Sequence, residues 1–153
     1  MFSKYDVYTT VQSMYCYPDT DVLINKLNIH DKAELKQAEE EFTAVKQMAL
    51  LQEPIKGRFT KTHLFRIHRF LFEDVYPFAG HIRKEQISKG NTMFYPPDLI
   101  ERELERVFKT IHSKKLLAEQ NEESQIQNLS QTMAELNIIH PFREGNGRST
   151  REL

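Results

Sequence analysis

A chain of 153 residues is long enough to bury one apolar core, and 39% hydrophobic with 28% charged residues is an ordinary globular composition. Its 21 lysines and arginines nearly cancel 22 aspartates and glutamates, which excludes a polyanion gripped by net charge and argues against direct nucleic-acid binding. Cys16 is the single cysteine, which excludes an internal disulfide and a cysteine metal cluster and suits a reducing cytoplasm. The first ten residues, MFSKYDVYTT, lack the apolar run of a secretory signal, and no apolar run approaches the roughly 18 residues of a membrane span.

Positions 1–20 are polar with scattered tyrosines and read as an irregular lead-in to one domain over 21–153. From Asp31 to about Leu51 the residues Leu35, Ala38, Phe42, Val45 and Met48 fall at helical spacing, with Asp31 as N-cap and Pro54 beyond the end. A second helix is expected from Thr60 to about Asp74, with Leu64, Ile67, Leu71 and Val75 inward. Two short strands, Ile82–Ser88 and Thr92–Tyr95, are expected around the turn Lys89-Gly90-Asn91, with a proline pair closing the second. A third helix follows from Pro97 to Ser113, with proline in its permitted first turn and Ile100, Leu104, Val107 and Ile111 as its stripe. The fourth runs from Glu122 to His140 and presents Ile126, Leu129, Met133 and Leu136. The fold class is therefore mostly α, with one small hairpin.

The chemistry is concentrated at positions 140–153, HPFREGNGRSTREL. His140 continues the stripe of the fourth helix just before Pro141 forbids further helix. Gly145-Asn146-Gly147 then opens a new helix from Arg148 to Leu153. A glycine turn feeding a helix start gathers backbone N–H groups at the positive end of the dipole, which suits an anion. Arg148 and Arg151 lie three residues apart and fork well onto phosphate oxygens, while Glu144 is a hard oxygen ligand for a phosphate-bound Mg²⁺. One segment thus offers a base, a metal ligand, a phosphate cradle and two cationic clamps, the parts that phosphoryl-type transfer requires. The turn lacks the Gly-Lys-Ser/Thr of a Walker A loop.

HPFREGNGRSTR resembles the signature of the Fic (filamentation induced by cAMP) family, His-Pro-Phe-x-Asp/Glu-Gly-Asn-Gly-Arg-x-x-Arg, at every fixed position. VLINKLNI, LFEDVYPFAGHIR and ISKGNTMFYPP resemble other Fic segments in the expected order, so the likeness covers the chain from about Tyr17 onward. The resemblance implies a Fic-type helical bundle with a small β-hairpin flap, acting as a protein adenylyltransferase that moves AMP from ATP to a Tyr, Thr or Ser hydroxyl of a target protein. It implies His140 as general base, a role that imidazole chemistry suits. Glu144 would hold Mg²⁺, and Gly145, Asn146, Gly147, Arg148, Ser149, Thr150 and Arg151 would bind ATP. The flap residues Asn91, Thr92, Met93 and Phe94 would lie along the nucleotide, and the 82–95 hairpin would dock an extended target segment by strand addition. The remaining histidines, including His68, have no metal-like spacing and are assigned no role.

Two departures from the family pattern shape further expectations. The inhibitory pattern Ser/Thr-x-x-x-Glu-Gly/Asn does not occur, so restraint would come from a separate small antitoxin, a missing C-terminal segment, or nothing. The chain also stops less than two turns into the helix that the motif opens, which implies a domain core truncated after residue 153. Other Fic-type transfers (a kinase reaction, UMP or phosphocholine transfer) and a catalytically inert interaction module are the alternatives. Gly147, absent from the Doc-like kinase branch, favours AMP transfer. The expected location is the cytoplasm, with translocation into a host cell left open.

Overall fold

The structure, a computed structural model, describes residues 12–118 and 121–153; residues 1–11 of the expected lead-in lie outside the described residues. Helix α1 spans Lys32–Gln52, with the Asp31 side chain accepting from the Glu34 amide. Helix α2 spans Lys61–Phe72, with Thr60 accepting from the His63 amide. Strands β1 (Ser88–Lys89) and β2 (Thr92–Met93) pair antiparallel, with Ser88 opposite Met93 and Lys89 opposite Thr92. Helix α3 spans Pro97–Ser113, a 3₁₀ turn covers Leu116–Ala118, and α4 spans Glu122–Ile139 behind the Asn121 cap. Helix α5 is the short Asn146–Arg151. Each side-chain cap satisfies an otherwise orphaned amide and is worth about 1 kcal/mol.

Helix α2 faces two apolar clusters at once. Ile67, Leu71 and Phe72 join Val22, Leu35, Leu50, Val75, Tyr76, Phe78 and Ala79 on one side. Leu64 joins Ile100, Leu104, Val107, Phe108 and Ile111 of α3, Leu136 and Ile139 of α4, and Phe142 on the other. This sandwiched position carries α2 past α1, α3 and α5. No helix among the described residues is long and apolar enough to cross a membrane.

The expected helix ends hold to within two residues, but two expected faces do not. The inward face of α1 is Leu35, Glu39, Thr43 and Leu50, whereas Phe42, Val45 and Met48 are 40%, 69% and 65% exposed. The helix is turned about one residue from its apolar stripe because Glu39 and Thr43 find polar partners inside, described below. In α4 only the last turns enter the core. Leu136 and Ile139 are buried, while Ile126 and Leu129 are 58% and 48% exposed. That outer half lies instead against the 3₁₀ turn, where the Asn128 amide donates to the Leu116 carbonyl at 3.1 Å.

The strands are also shorter than the expected Ile82–Ser88 and Thr92–Tyr95. Flanking carbonyls that a longer ladder would use accept from side chains instead. Arg83 donates to the Glu85 and Tyr95 carbonyls, and Gln86 donates to the Phe94 carbonyl. The base of the hairpin is clasped from the N-terminal side, where the Ser13 hydroxyl donates to the Glu85 carboxylate at 2.7 Å.

Candidate active site

His140 does not continue α4. It caps the helix in the left-handed conformation, φ 51° and ψ 63°, while its amide still donates to the Leu136 carbonyl at 3.0 Å. Its Nδ1 lies 3.0 Å from the Asn137 carbonyl oxygen. A carbonyl only accepts, so Nδ1 carries the proton and Nε2 is the basic nitrogen. The imidazole is buried and stacks on Phe94 of the flap at 3.7 Å between centroids and 9° between planes.

The loop between α4 and α5 is anchored by its own side chains. Phe142 is fully buried, stacked on His68 at 3.7 Å and edge-on to Phe65 at 5.3 Å. Asn146, one of the residues expected to bind ATP, is placed at the centre of the loop. Its Oδ1 accepts from the Phe142 amide at 2.8 Å and its Nδ2 donates to the Phe142 carbonyl at 2.7 Å, closing the loop on itself. Ser149, buried, donates to the Gly145 carbonyl at 3.0 Å. These bonds hold a helix of six residues that is too short to persist alone.

Gly145 sits at φ +80°, and a Cβ there would lie 2.2 Å from the Phe72 ring, so the position requires glycine on two grounds. The Glu144 carboxylate accepts from the Gly145 amide at 2.9 Å and lies 3.9 Å from an Arg148 nitrogen. At Gly147 an added Cβ would meet the Arg151 guanidinium at 3.3 Å, so Arg151 overlies the glycine turn. Arg151 is exposed and Thr150 is half-buried.

Arg148 stands apart from Arg151. One guanidinium nitrogen donates to Thr43 Oγ1 at 3.0 Å, another pairs with the Glu39 carboxylate, and the plane lies 4.8 Å from the Phe72 ring centroid. Glu39 also accepts from the Tyr76 hydroxyl. Burial, reinforced by that carboxylate, pushes the Tyr76 phenol far above its ordinary value, so it remains a donor. The expected phosphate clamp is thus engaged with α1, and its partners explain the inward turn of Glu39 and Thr43.

Four residues that the sequence reading passed over carry the geometry: Glu39, Tyr76, His68 and Arg83. His68 is fully buried between two backbone groups. Its Nδ1 accepts from the Gly80 amide at 2.8 Å and its Nε2 donates to the Glu144 carbonyl at 2.9 Å. Burial holds it neutral, lowering its pKa from 6.5 to about 3. Arg83, 1% exposed, donates to the carbonyls of Ile139 and His140 as well as to those of Glu85 and Tyr95. Glu39 and His68 had a signal in the sequence, since each falls at helical spacing with buried apolar neighbours. Arg83 had none.

On the flap, Asn91, Thr92 and Met93 are exposed at the turn and on β2, while Phe94 points inward to His140. The structure therefore brings together His140, Phe94 and the motif loop, and leaves 91–93 on an open strand edge. No group of three or more His, Cys, Asp or Glu residues suited to hold a metal occurs among the described residues. Mg²⁺ does not need one, because it keeps several waters and takes one or two carboxylates plus substrate phosphates. Glu144 is the carboxylate of the motif loop that would supply that protein share.

A family model for the Fic/DOC family matches residues 58–153. The chain is 38% identical to a probable protein adenylyltransferase, y4lH, of Sinorhizobium fredii over 143 residues, covering 93% of this chain and 73% of the relative. It is 31% identical to the probable protein adenylyltransferase Fic of Escherichia coli, covering 90% of this chain and 68% of that one. Among solved structures it superposes with TM-score 0.80 and 26% identity on the BepC protein of Bartonella tribocorum, a VirB-translocated effector with bound AMPPNP, covering 90% of this chain and 73% of that one. The match over residues 58–153 and the identity to relatives covered over two thirds or more of their length show that the chain belongs to the Fic/DOC family.

Proposed function

We infer that the protein is an adenylyltransferase that moves AMP from ATP to a hydroxyl of a target protein and releases pyrophosphate. The observation that carries this reading is the geometry of His140: Nδ1 lies 3.0 Å from the Asn137 carbonyl, which leaves Nε2 as the basic nitrogen of a histidine at the start of the loop that leads into α5. The target hydroxyl oxygen attacks the α-phosphorus, its proton passes to His140 Nε2, and the bond from the α-phosphorus to the bridging oxygen breaks as pyrophosphate leaves. Relatives named as adenylyltransferases, and Fic structures holding AMPPNP or ADP, support a nucleotide substrate.

The glycine turn Gly145–Gly147 would admit the phosphates to the backbone, and Arg151, exposed beside it, would reach their distal oxygens. Arg148 would act one step back, holding α5 to α1 through Glu39 and Thr43. Ser149 and Thr150 would line the first turn. Mg²⁺, bound through Glu144 and the phosphates, would supply charge neutralisation as pyrophosphate departs. Asn91, Thr92 and Met93 would pair with an extended target segment, so main-chain bonds would align the hydroxyl with His140. Restraint would come from a separate small antitoxin, from a further C-terminal segment, or from nothing, and the reducing cytoplasm, suited to the free Cys16 thiol, is our proposed location.

The test is incubation with α-labelled and, separately, γ-labelled ATP plus a bacterial lysate. Label transferred only from the α position, and lost in His140→Ala, is expected. Transfer from the γ position would make the protein a kinase and overturn the reading.

A further inference from the structure

Arg83 is a buried cation whose guanidinium donates to backbone carbonyls on both sides of the flap. Nε donates to the His140 carbonyl at 2.8 Å, Nη1 to the Glu85 carbonyl at 2.7 Å, and Nη2 to the carbonyls of Tyr95 and, at 3.3 Å, Ile139. Its own amide donates to the Pro141 carbonyl at 2.9 Å. Burial draws the guanidinium down only to about 10, so it stays charged at neutral pH. A charged group taken fully out of water is costly, and an isolated structural position is filled more cheaply by an apolar side chain.

The pattern of partners indicates what the charge accomplishes. Three consecutive carbonyls, from Ile139 to Pro141, bracket the left-handed His140. A non-glycine residue there is disfavoured by roughly 1 kcal/mol or more and persists only where surrounding contacts over-determine it. The other two carbonyls, of Glu85 and Tyr95, flank the hairpin strands on either side. One rigid fork therefore joins both ends of the flap to the backbone of the histidine. The flap in turn carries Phe94 onto the imidazole face.

We propose that Arg83 is a positioning residue that sets the distance and register between the flap edge and His140, so that a hydroxyl delivered along β2 meets the imidazole. This rests on the adenylyltransferase reading for its catalytic consequence, but not for its structural one. Arg83→Lys supplies a point charge in place of the fork and reaches fewer of the four carbonyls that the guanidinium holds at once.

The experiment uses the full chain with Arg83→Lys and Arg83→Met. In ring-¹³C-histidine NMR spectra, the His140 ring protons, assigned by their loss in His140→Ala, are expected upfield in the wild type because of the Phe94 stack. Both variants are expected to lose that displacement. In the transfer assay, kcat is expected to fall about 100-fold, the scale of a misplacement near 1 Å, with KM for ATP changed less than about 3-fold. An unchanged His140 ring shift, a proportional loss of ATP affinity and kcat, or failure of both variants to fold would each overturn the proposal. If the wild type transfers no α-label, the adenylyltransferase reading fails, while the ring-shift measurement still decides whether Arg83 registers the flap.

Discussion

Replacing His68 by Gln tests how the glycine loop is held against the rest of the molecule. His68 accepts from the Gly80 amide, donates to the Glu144 carbonyl and stacks on Phe142. Gln can reproduce the donor to Glu144 but leaves the Gly80 amide without its acceptor and removes the ring stack. The expected loss at pH 7.5 is about 1–3 kcal/mol for the amide and about 1 kcal/mol for the stack. The pH dependence is more diagnostic. Burial is the main cause of the lowered His68 pKa, Arg148 and His81 add to it, and the bond to Glu144 opposes it. With a folded value of about 3 against an unfolded 6.5, the unfolded chain takes up the proton first as pH falls. Stability from His68 is therefore present above about pH 6.5 and is lost progressively down to about pH 3. At pH 5 the loss is 1.5 units at 1.36 kcal/mol per unit, about 2 kcal/mol. Urea unfolding of wild type and His68→Gln, followed by far-UV circular dichroism at pH 7.5 and pH 5, should show their stability gap shrinking by about that amount. Parallel pH slopes for the two proteins would refute a buried neutral His68.

Other expected outcomes concern the same loop. Arg148→Met should destabilise by about 3–5 kcal/mol in urea, because it leaves the Glu39 carboxylate buried without its cation, and Glu39→Leu added to it should recover part of the loss. Gly145→Ala should cost more than about 2 kcal/mol in thermal unfolding, and Phe72→Leu should relieve the ring clash but not the 1–2 kcal/mol backbone component. Arg151→Ala should leave the melting temperature within a few degrees and weaken a nonhydrolysable ATP analogue about 10- to 100-fold by calorimetry, the worth of one charge-assisted contact. Unchanged affinity would remove Arg151 from the phosphate site.

The helices were legible because their signals are local. Asp31 does cap the helix it was expected to cap, the helix expected from Thr60 starts one residue later behind Thr60 as its cap, and Pro97 does open α3. The apolar stripe of α3 buried in full, since an amphipathic helix of strong pattern has one way to face a core. The stripe of α1 misled. Its buried face contains a glutamate and a threonine, and the spacing of Glu39 from Leu35 does not outweigh the apolar stripe until its distant partner Arg148 is in place. The hairpin was over-extended for a similar reason, because side chains of Arg83 and Gln86 took the carbonyls that the ladder was expected to use.

The sequence by itself determined the helix order, the flap, and the family through one contiguous motif, because each of these is written in residues close together in the chain. Tertiary structure alone decided which motif arginine is engaged with α1, which histidine is held neutral, and how the flap is fastened to His140. Those outcomes depend on Glu39 meeting Arg148 across 109 residues and on Arg83 meeting His140 across 57. A buried charge or strained backbone is stable only once such distant partners arrive together, and spacing along the chain carries no trace of that meeting.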